Sequence, residues 1–272
     1  MNLRSTCGIV LATGEHGEAD KLVTLYCPDL GRMTAIAKGA KKSKRRFVNK
    51  LEVFSLLRFA YRPPRGLTGL HLIDEAELLA AHLPLRKDLQ RYAAATYLCE
   101  LIVRFTRDSD PDPRLFTLLQ WALSTLDHDA LPHKIVAIAH LRLLDAAGYR
   151  PDLGHCHICH QPVKPGPPYA LLPETGALQC SACSPWNKGW SANLSVQTLR
   201  LLANAQLFDL DKLHRLQFTP QALSEALTAL HRFTLHLLQQ DVHSWKFLRS
   251  LSAVAAPSLP AQSFSRARTF EA

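Results

Sequence analysis

Four cysteines in two pairs, Cys156-His157-Ile158-Cys159 and Cys180-Ser181-Ala182-Cys183, form the most specific chemical pattern in the chain. Each pair brackets two residues, so a tight turn can aim both sulfurs at one ion. The 20-residue gap between the pairs lets two such turns complete a tetrahedron. A four-thiolate shell leaves no open position for water or substrate, so the expected cofactor is one structural Zn2+ on Cys156, Cys159, Cys180 and Cys183. A redox dithiol would need only one such pair, usually in a βαβ setting. His155, His157 and His160 flank the first pair and are read as surface or supporting residues, because the cysteine set is already complete. Cys7, Cys27 and Cys99 lie in apolar surroundings and are expected to be small buried side chains.

The second pattern is electrostatic. Lys38-Gly39-Ala40-Lys41-Lys42-Ser43-Lys44-Arg45-Arg46, followed by Lys50, is not interrupted by any acidic residue, in a chain of net charge +9. Lys38, Lys41, Lys42, Lys44, Arg45, Arg46 and Lys50 are therefore the candidate DNA-binding residues. Cations on a flexible arm would wrap phosphates and displace condensed counterions, giving salt-sensitive, sequence-tolerant binding. Phe47, Phe54, Phe59 and Tyr61 lie close by. One or two of these rings are expected to be platforms on which bases stack, and the others to be core.

Other chemistry is not encoded. The sequence has no G-x-x-x-x-G-K-[ST] phosphate loop, no H-E-x-x-H and no G-x-S-x-G, so no enzyme activity is expected. Asp74, Glu75 and Glu77 are read as a solvated turn at a barrel end, since no matching acidic group stands elsewhere to build a two-metal nuclease site.

The elements that must position these groups fall into two regimes. Up to about residue 80 the chain reads as short strands: Cys7–Ala12 ended by Gly14, Leu22–Tyr26, Met33–Ala37, Val53–Tyr61 and Leu67–Glu77. Five strands in so short a span suggest a closed barrel, which removes exposed edges. From about Arg86 the apolar period becomes helical, through Leu89, Ala93, Tyr97, Leu101 and Phe105. Further helices open at Asp112-Pro113 and near Pro132, the latter ending at Gly148. Helical periodicity returns at Val196–Leu202, again from Thr219-Pro220, and in a last helix from His243 to Leu251.

The expected fold class is α+β multidomain. It comprises an OB-fold β-barrel (1–80), a mostly α-helical domain in two parts (81–150 and 191–252), an inserted four-cysteine zinc finger (151–190) and a disordered tail (253–272). No apolar run approaches the roughly 20 residues that span a bilayer. The N-terminal residues lack the apolar core of a secretory signal, so a cytoplasmic, nucleoid-associated protein without membrane contact is expected.

The chain resembles the RecO family of recombinational repair proteins. The resemblance is carried by Gly8-Ile9-Val10-Leu11, by Gly17-Glu18-Ala19-Asp20-Lys21-Leu22-Val23-Thr24-Leu25 and by Gly31-Arg32-Met33-Thr34-Ala35-Ile36-Ala37-Lys38-Gly39-Ala40 with the basic run. Later markers are Leu141–Leu144, Gly148-Tyr149 and the cysteine pairs, so it spans roughly residues 5 to 250. It implies binding of single- and double-stranded DNA and annealing of complementary strands. It also implies, with RecR, assistance in loading RecA onto strands coated by single-strand-binding protein (SSB), whose C-terminal tail is a further implied partner. On this resemblance the DNA-contacting loop is Lys38 through Arg46. The alternative is an RNA-binding OB and zinc-ribbon protein of the translation machinery. A metal-dependent hydrolase is a third reading, and it would need an open metal position.

Overall fold

In the computed structural model the described residues are 3–64, 66, 69–183 and 192–251. The tail expected from Ala253, the expected strand start at Leu67 and the end of the cysteine segment at 184–190 lie outside them.

The first strands are β1 (Arg4–His16), β2 (Asp20–Cys27) and β3 (Gly31–Ala37), followed by β4 (Leu56–Arg62) and β5 (His71–Ala80). They close into a barrel in the order β1-β2-β3-β5-β4, with β3 and β5 parallel and the other pairs antiparallel. Period-two alternation fixes which side chains face inward. Val23, Leu25 and Cys27 from β2 and Met33, Ala35 and Ala37 from β3 fill the barrel, together with Leu57, Phe59, Tyr61 and Ile73. The first strand does not stop at Gly14, because pairing with β2 continues to His16 opposite Asp20. The fourth begins at Leu56 rather than Val53. Val53–Ser55 instead belong to a turn in which Phe54 adopts φ 71° and donates its N–H to the Val10 carbonyl at 2.8 Å.

Asp74, Glu75 and Glu77 lie within β5, not in a terminal turn. Two of them face basic residues of β4: Asp74 pairs with Arg62 at 2.7 Å and Glu77 with Arg58 at 3.0 Å.

The barrel is backed by helices. Ile9, Leu11, Tyr26, Phe54 and Leu56 face away from its interior and join the hydrophobic cluster of the helical body. Arg86 stitches the seam by donating to the Val53 carbonyl at 3.2 Å, the Ser55 hydroxyl at 2.7 Å and the Ala81 carbonyl at 2.6 Å. The helices are α1 (Leu83–Lys87), α2 (Leu89–Phe105), α3 (Pro113–Leu126), α4 (Pro132–Ala146), α5 (Val196–Leu207), α6 (Pro220–Leu238) and α7 (Ser244–Ser250).

Their starts follow the sequence signals. The side chains of Asp88, Asp112, Ser195 and Thr219 accept first-turn N–H groups of α2, α3, α5 and α6. Each such cap contributes about 1 kcal/mol. Proline at the first helical position, where its missing N–H costs nothing, opens α3, α4 and α6. Ala93, Tyr97 and Leu101 are fully buried as their spacing predicts, whereas Leu89 at the start of α2 is exposed and Phe105 at its end is half-buried.

The proline-rich segment between α4 and α5 is not a bare loop. β6 (Tyr169–Leu172), β7 (Ala177–Gln179) and β8 (Ala192–Leu194) form a small antiparallel sheet in the order β7-β6-β8. Leu171, Leu178 and Leu194 bury into the cluster shared with the helices. At the β6–β7 turn, Gly176 has φ +67°, and a Cβ there would stand 2.7 Å from the Phe233 ring of α6. Close approach therefore requires glycine at this point. No described helix is long and apolar enough to cross a membrane.

Candidate nucleic-acid interface and metal centre

The two cysteine pairs converge. The sulfurs of Cys156, Cys159, Cys180 and Cys183 all lie within 4.8 Å of one another. Each pair sits on a tight turn: the His160 N–H donates to the Cys156 carbonyl at 2.9 Å and the Cys183 N–H to the Cys180 carbonyl at 3.1 Å. The turns are held together by the small sheet. A bridge joins Cys156 to Leu178, and the Cys180 N–H points at Cys156 Sγ from 3.4 Å.

This donor set fits a metal ion. A tetrahedron with Zn–S bonds of about 2.3 Å has edges of about 3.8 Å, and Cys159 Sγ lies 3.9 Å from Cys180 Sγ. Burial raises the pKa of the Cys156 thiol, but N–H donors from Cys159, Cys180 and Ile158 outweigh it and leave the value lowered to about 6. Hydrogen bonding with Cys180, followed by burial, pushes Cys183 up to about 12. His155, His157 and His160 are exposed and stand outside the sulfur cluster. Cys27 and Cys99 are buried as expected, while Cys7 is only partly covered.

The basic segment follows β3 directly, and it is not a free arm. Gly39 turns the chain with φ 67°, and Ala40–Lys42 form one turn of 3-10 helix. Ala40 and Phe47 are buried in the barrel core. The Lys41 N–H donates to the Ala19 carbonyl at 2.9 Å, and the Gly39 N–H to Asp20 Oδ1 at 2.8 Å. The segment is thus fastened to the β1–β2 turn.

The seven candidate cations divide. Lys41 Nζ contacts the Gly17 carbonyl at 3.1 Å and Glu15 Oε2 at 3.2 Å. Arg46 donates to the carbonyls of Asp74 at 3.3 Å and Lys38 at 3.4 Å, and its guanidinium lies 5.2 Å from the Phe47 ring centre. Lys50 Nζ donates to the Ala76 carbonyl at 2.7 Å and the Arg45 carbonyl at 3.2 Å. Lys41 and Arg46 are exposed like Lys38, Lys42, Lys44 and Arg45, but only the side chains of the latter four have no hydrogen-bond or ion-pair partner among the described residues.

The expected stacking platforms are absent at the positions named. Phe47, Phe54, Phe59 and Tyr61 are 4%, 2%, 1% and 3% exposed, so no base can reach them without opening the barrel. Strand alternation directs Phe59 and Tyr61 into the barrel with Phe47. Phe54 points to the helices, where it meets Tyr92 edge-on at 5.4 Å. Sequence reasoning also missed the β1–β2 turn as part of the site. The acidic residues that flank it, Glu15 near the end of β1 and Asp20 at the start of β2, were the available signal, and both meet the basic segment.

A closed five-stranded barrel of OB order, backed by a helical body with a four-cysteine cluster, defines a class of multidomain OB-barrel proteins. The family model described as Recombination protein O N terminal matches residues 1–82, and Recombination protein O C terminal matches residues 86–246. Together they span most of the length, and the chain belongs to the RecO family of DNA repair proteins. It is 32% identical over 254 residues to the DNA repair protein RecO of Syntrophus aciditrophicus (strain SB), covering 91% of this chain and 97% of the relative. It is 36% identical over 250 residues to that of Anaeromyxobacter dehalogenans (strain 2CP-1 / ATCC BAA-258), covering 91% and 96%. With the RecO of Roseiflexus sp. (strain RS-1) it shares 30% identity over 265 residues, covering 97% and 92%.

Proposed function

We propose that this protein is a non-enzymatic recombination mediator. It binds single- and double-stranded DNA, anneals complementary strands and, with RecR, assists RecA loading onto SSB-coated single strands. One observation carries this reading: Lys38, Lys42, Lys44 and Arg45 stand exposed and uncompensated on a segment fixed to the barrel. Two like-charged strands repel, and a cationic surface that holds both lowers that repulsion. Contacts to phosphate alone leave the bases free to search for register. No bond is made or broken.

The metal of the four-cysteine cluster is one Zn2+. Four thiolates hold it in a closed shell that braces the segment between α4 and α5 and takes no part in strand pairing. The chain divides into the barrel (1–80), a helical domain in two parts (81–150 and 191–252) and the zinc-bearing insertion (151–190). Its working environment is the cytoplasm, at the nucleoid. The SSB C-terminal tail is the expected protein partner besides RecR.

Strand annealing tests the proposal. Complementary oligonucleotides coated with species-matched SSB should pair faster when the protein is added, and faster pairing should also be seen on bare strands. No acceleration on either substrate would refute it.

A further inference from the structure

We propose that the basic segment has two jobs assigned to different cations: Lys38, Lys42, Lys44 and Arg45 contact phosphates, whereas Lys41, Arg46 and Lys50, together with Asp20, hold the segment in shape. The inference rests on the reading of this segment as the DNA surface, and it names which residues of that surface touch the ligand.

The geometry points this way at both ends of the segment. At its start, Asp20 accepts the Gly39 N–H at 2.8 Å, just where the backbone turns through φ 67°. Lys41 then reaches back across the β1–β2 turn to the Gly17 carbonyl and Glu15, and its side chain is only 24% exposed. At the far end, Arg46 and Lys50 reach across to β5 and donate to the carbonyls of Asp74 and Ala76. Between these ties, Phe47 plugs the barrel core, and its N–H donates to Ser43 Oγ at 3.1 Å.

A cation anchored by carbonyl or carboxylate acceptors keeps free N–H donors, but it must break or bend its ties to turn onto a phosphate, and it gains less by the exchange. The four outward cations have nothing to give up. A segment ordered in advance also avoids the entropy of ordering on binding. Contact residues therefore set the number of counterions released. Positioning residues set only how well the contacts are presented.

These two roles separate in a salt titration. The probe is a labelled single-stranded oligothymidine, bound by the full chain at several salt concentrations. Each outward substitution, Lys38→Gln, Lys42→Gln, Lys44→Gln or Arg45→Gln, should reduce the slope of log affinity against log salt by about 0.7. Lys41→Gln and Asp20→Ala should instead weaken binding roughly three- to tenfold with the wild-type slope retained, as expected for lost pre-organisation. Asp20→Asn keeps an acceptor oxygen and should recover most of the affinity.

Thermal unfolding of each variant verifies that it folds. Should Asp20→Ala fail to fold, the comparison of Lys41→Gln with Lys42→Gln decides alone. A slope that flattens as much for Lys41→Gln as for Lys42→Gln would overturn the division. Unchanged slopes for all four outward variants would instead overturn the DNA-surface reading beneath it.

Discussion

Arg32 on β3 and Asp108 beyond the end of α2 form an ion pair at 2.6 Å, and it ties the barrel to the helical body at the point where β2 turns into β3. The same guanidinium donates to the Val103 carbonyl at the end of α2, and the Arg32 carbonyl accepts the Ser109 N–H at 3.0 Å. Residues 108–110 therefore ride directly on the β2–β3 turn. The basic segment begins at the other end of β3, so its position relative to the helices is inherited from this joint.

Gly31 is the tightest point of that joint. Its φ is +68°, and a Cβ would lie 2.4 Å from the Asp110 carbonyl oxygen. Gly31→Ala should destabilise the fold by roughly 2 kcal/mol or more, since both the backbone conformation and the space forbid a side chain. Urea unfolding measures this, and wild-type stability in the variant would contradict the packing.

Metal analysis of the purified chain should find about one zinc per molecule. Cys180→Ser should lose it and admit protease within the segment between Cys156 and Cys183, while far-ultraviolet circular dichroism keeps the helical signal. The helices keep their own buried cluster, while the turns that carry the cysteines lose their cross-link and open to cleavage. A zinc-free protein with a protease-resistant segment would count against the four-thiolate site.

The helical core should make the protein acid-sensitive. His140 and His231 are buried around Tyr97, with His140 Nε2 2.7 Å from Thr234 Oγ1 and His231 stacked on Trp245 at 4.0 Å. Burial, the leading cause for both, lowers each pKa from 6.5 to about 3, and His231 is further lowered by the charges of His140, Arg249 and Arg232. The unfolded chain therefore binds more protons than the native one between these values. The stability these neutral imidazoles support is complete above about pH 6.5 and is lost as pH falls towards 3. At pH 5 the cost is on the order of 2 kcal/mol for each histidine. Unfolding free energies at pH 7 and pH 5 provide the check. A His140→Gln variant should show a shallower pH dependence than wild type, and an equal one would exclude this origin.

Much of this architecture was legible in the sequence because the signals were local. Period-two apolar spacing marked the barrel strands, and Asp112-Pro113 and Thr219-Pro220 marked helix starts, since a cap and a fixed φ act within a few residues. The cysteine spacing foretold their convergence for the same reason. Other features depended on distant partners. The β6-β7-β8 sheet escaped notice because its strands are three or four residues long and are stabilised by packing on α6. For Phe59 and Tyr61 a strand pattern does not say which side of a closed barrel is the interior, and the burial of Phe47 in the barrel and of Phe54 against α2 depends on partners distant in sequence. The inward ties of Lys41, Arg46 and Lys50 were invisible because their acceptors are mostly backbone carbonyls, which carry no residue signature.

On the proposed reading, the barrel grips sugar-phosphate chains through a fixed set of outward cations and does not read bases. The most direct test of this is the affinity of the unmodified protein for two single-stranded oligonucleotides of unrelated sequence across a salt series. Log affinity should fall linearly with log salt for both, along a common line, with a slope of about −3 for four phosphate contacts. Affinity that is insensitive to salt, or that differs strongly between the two sequences, would contradict it.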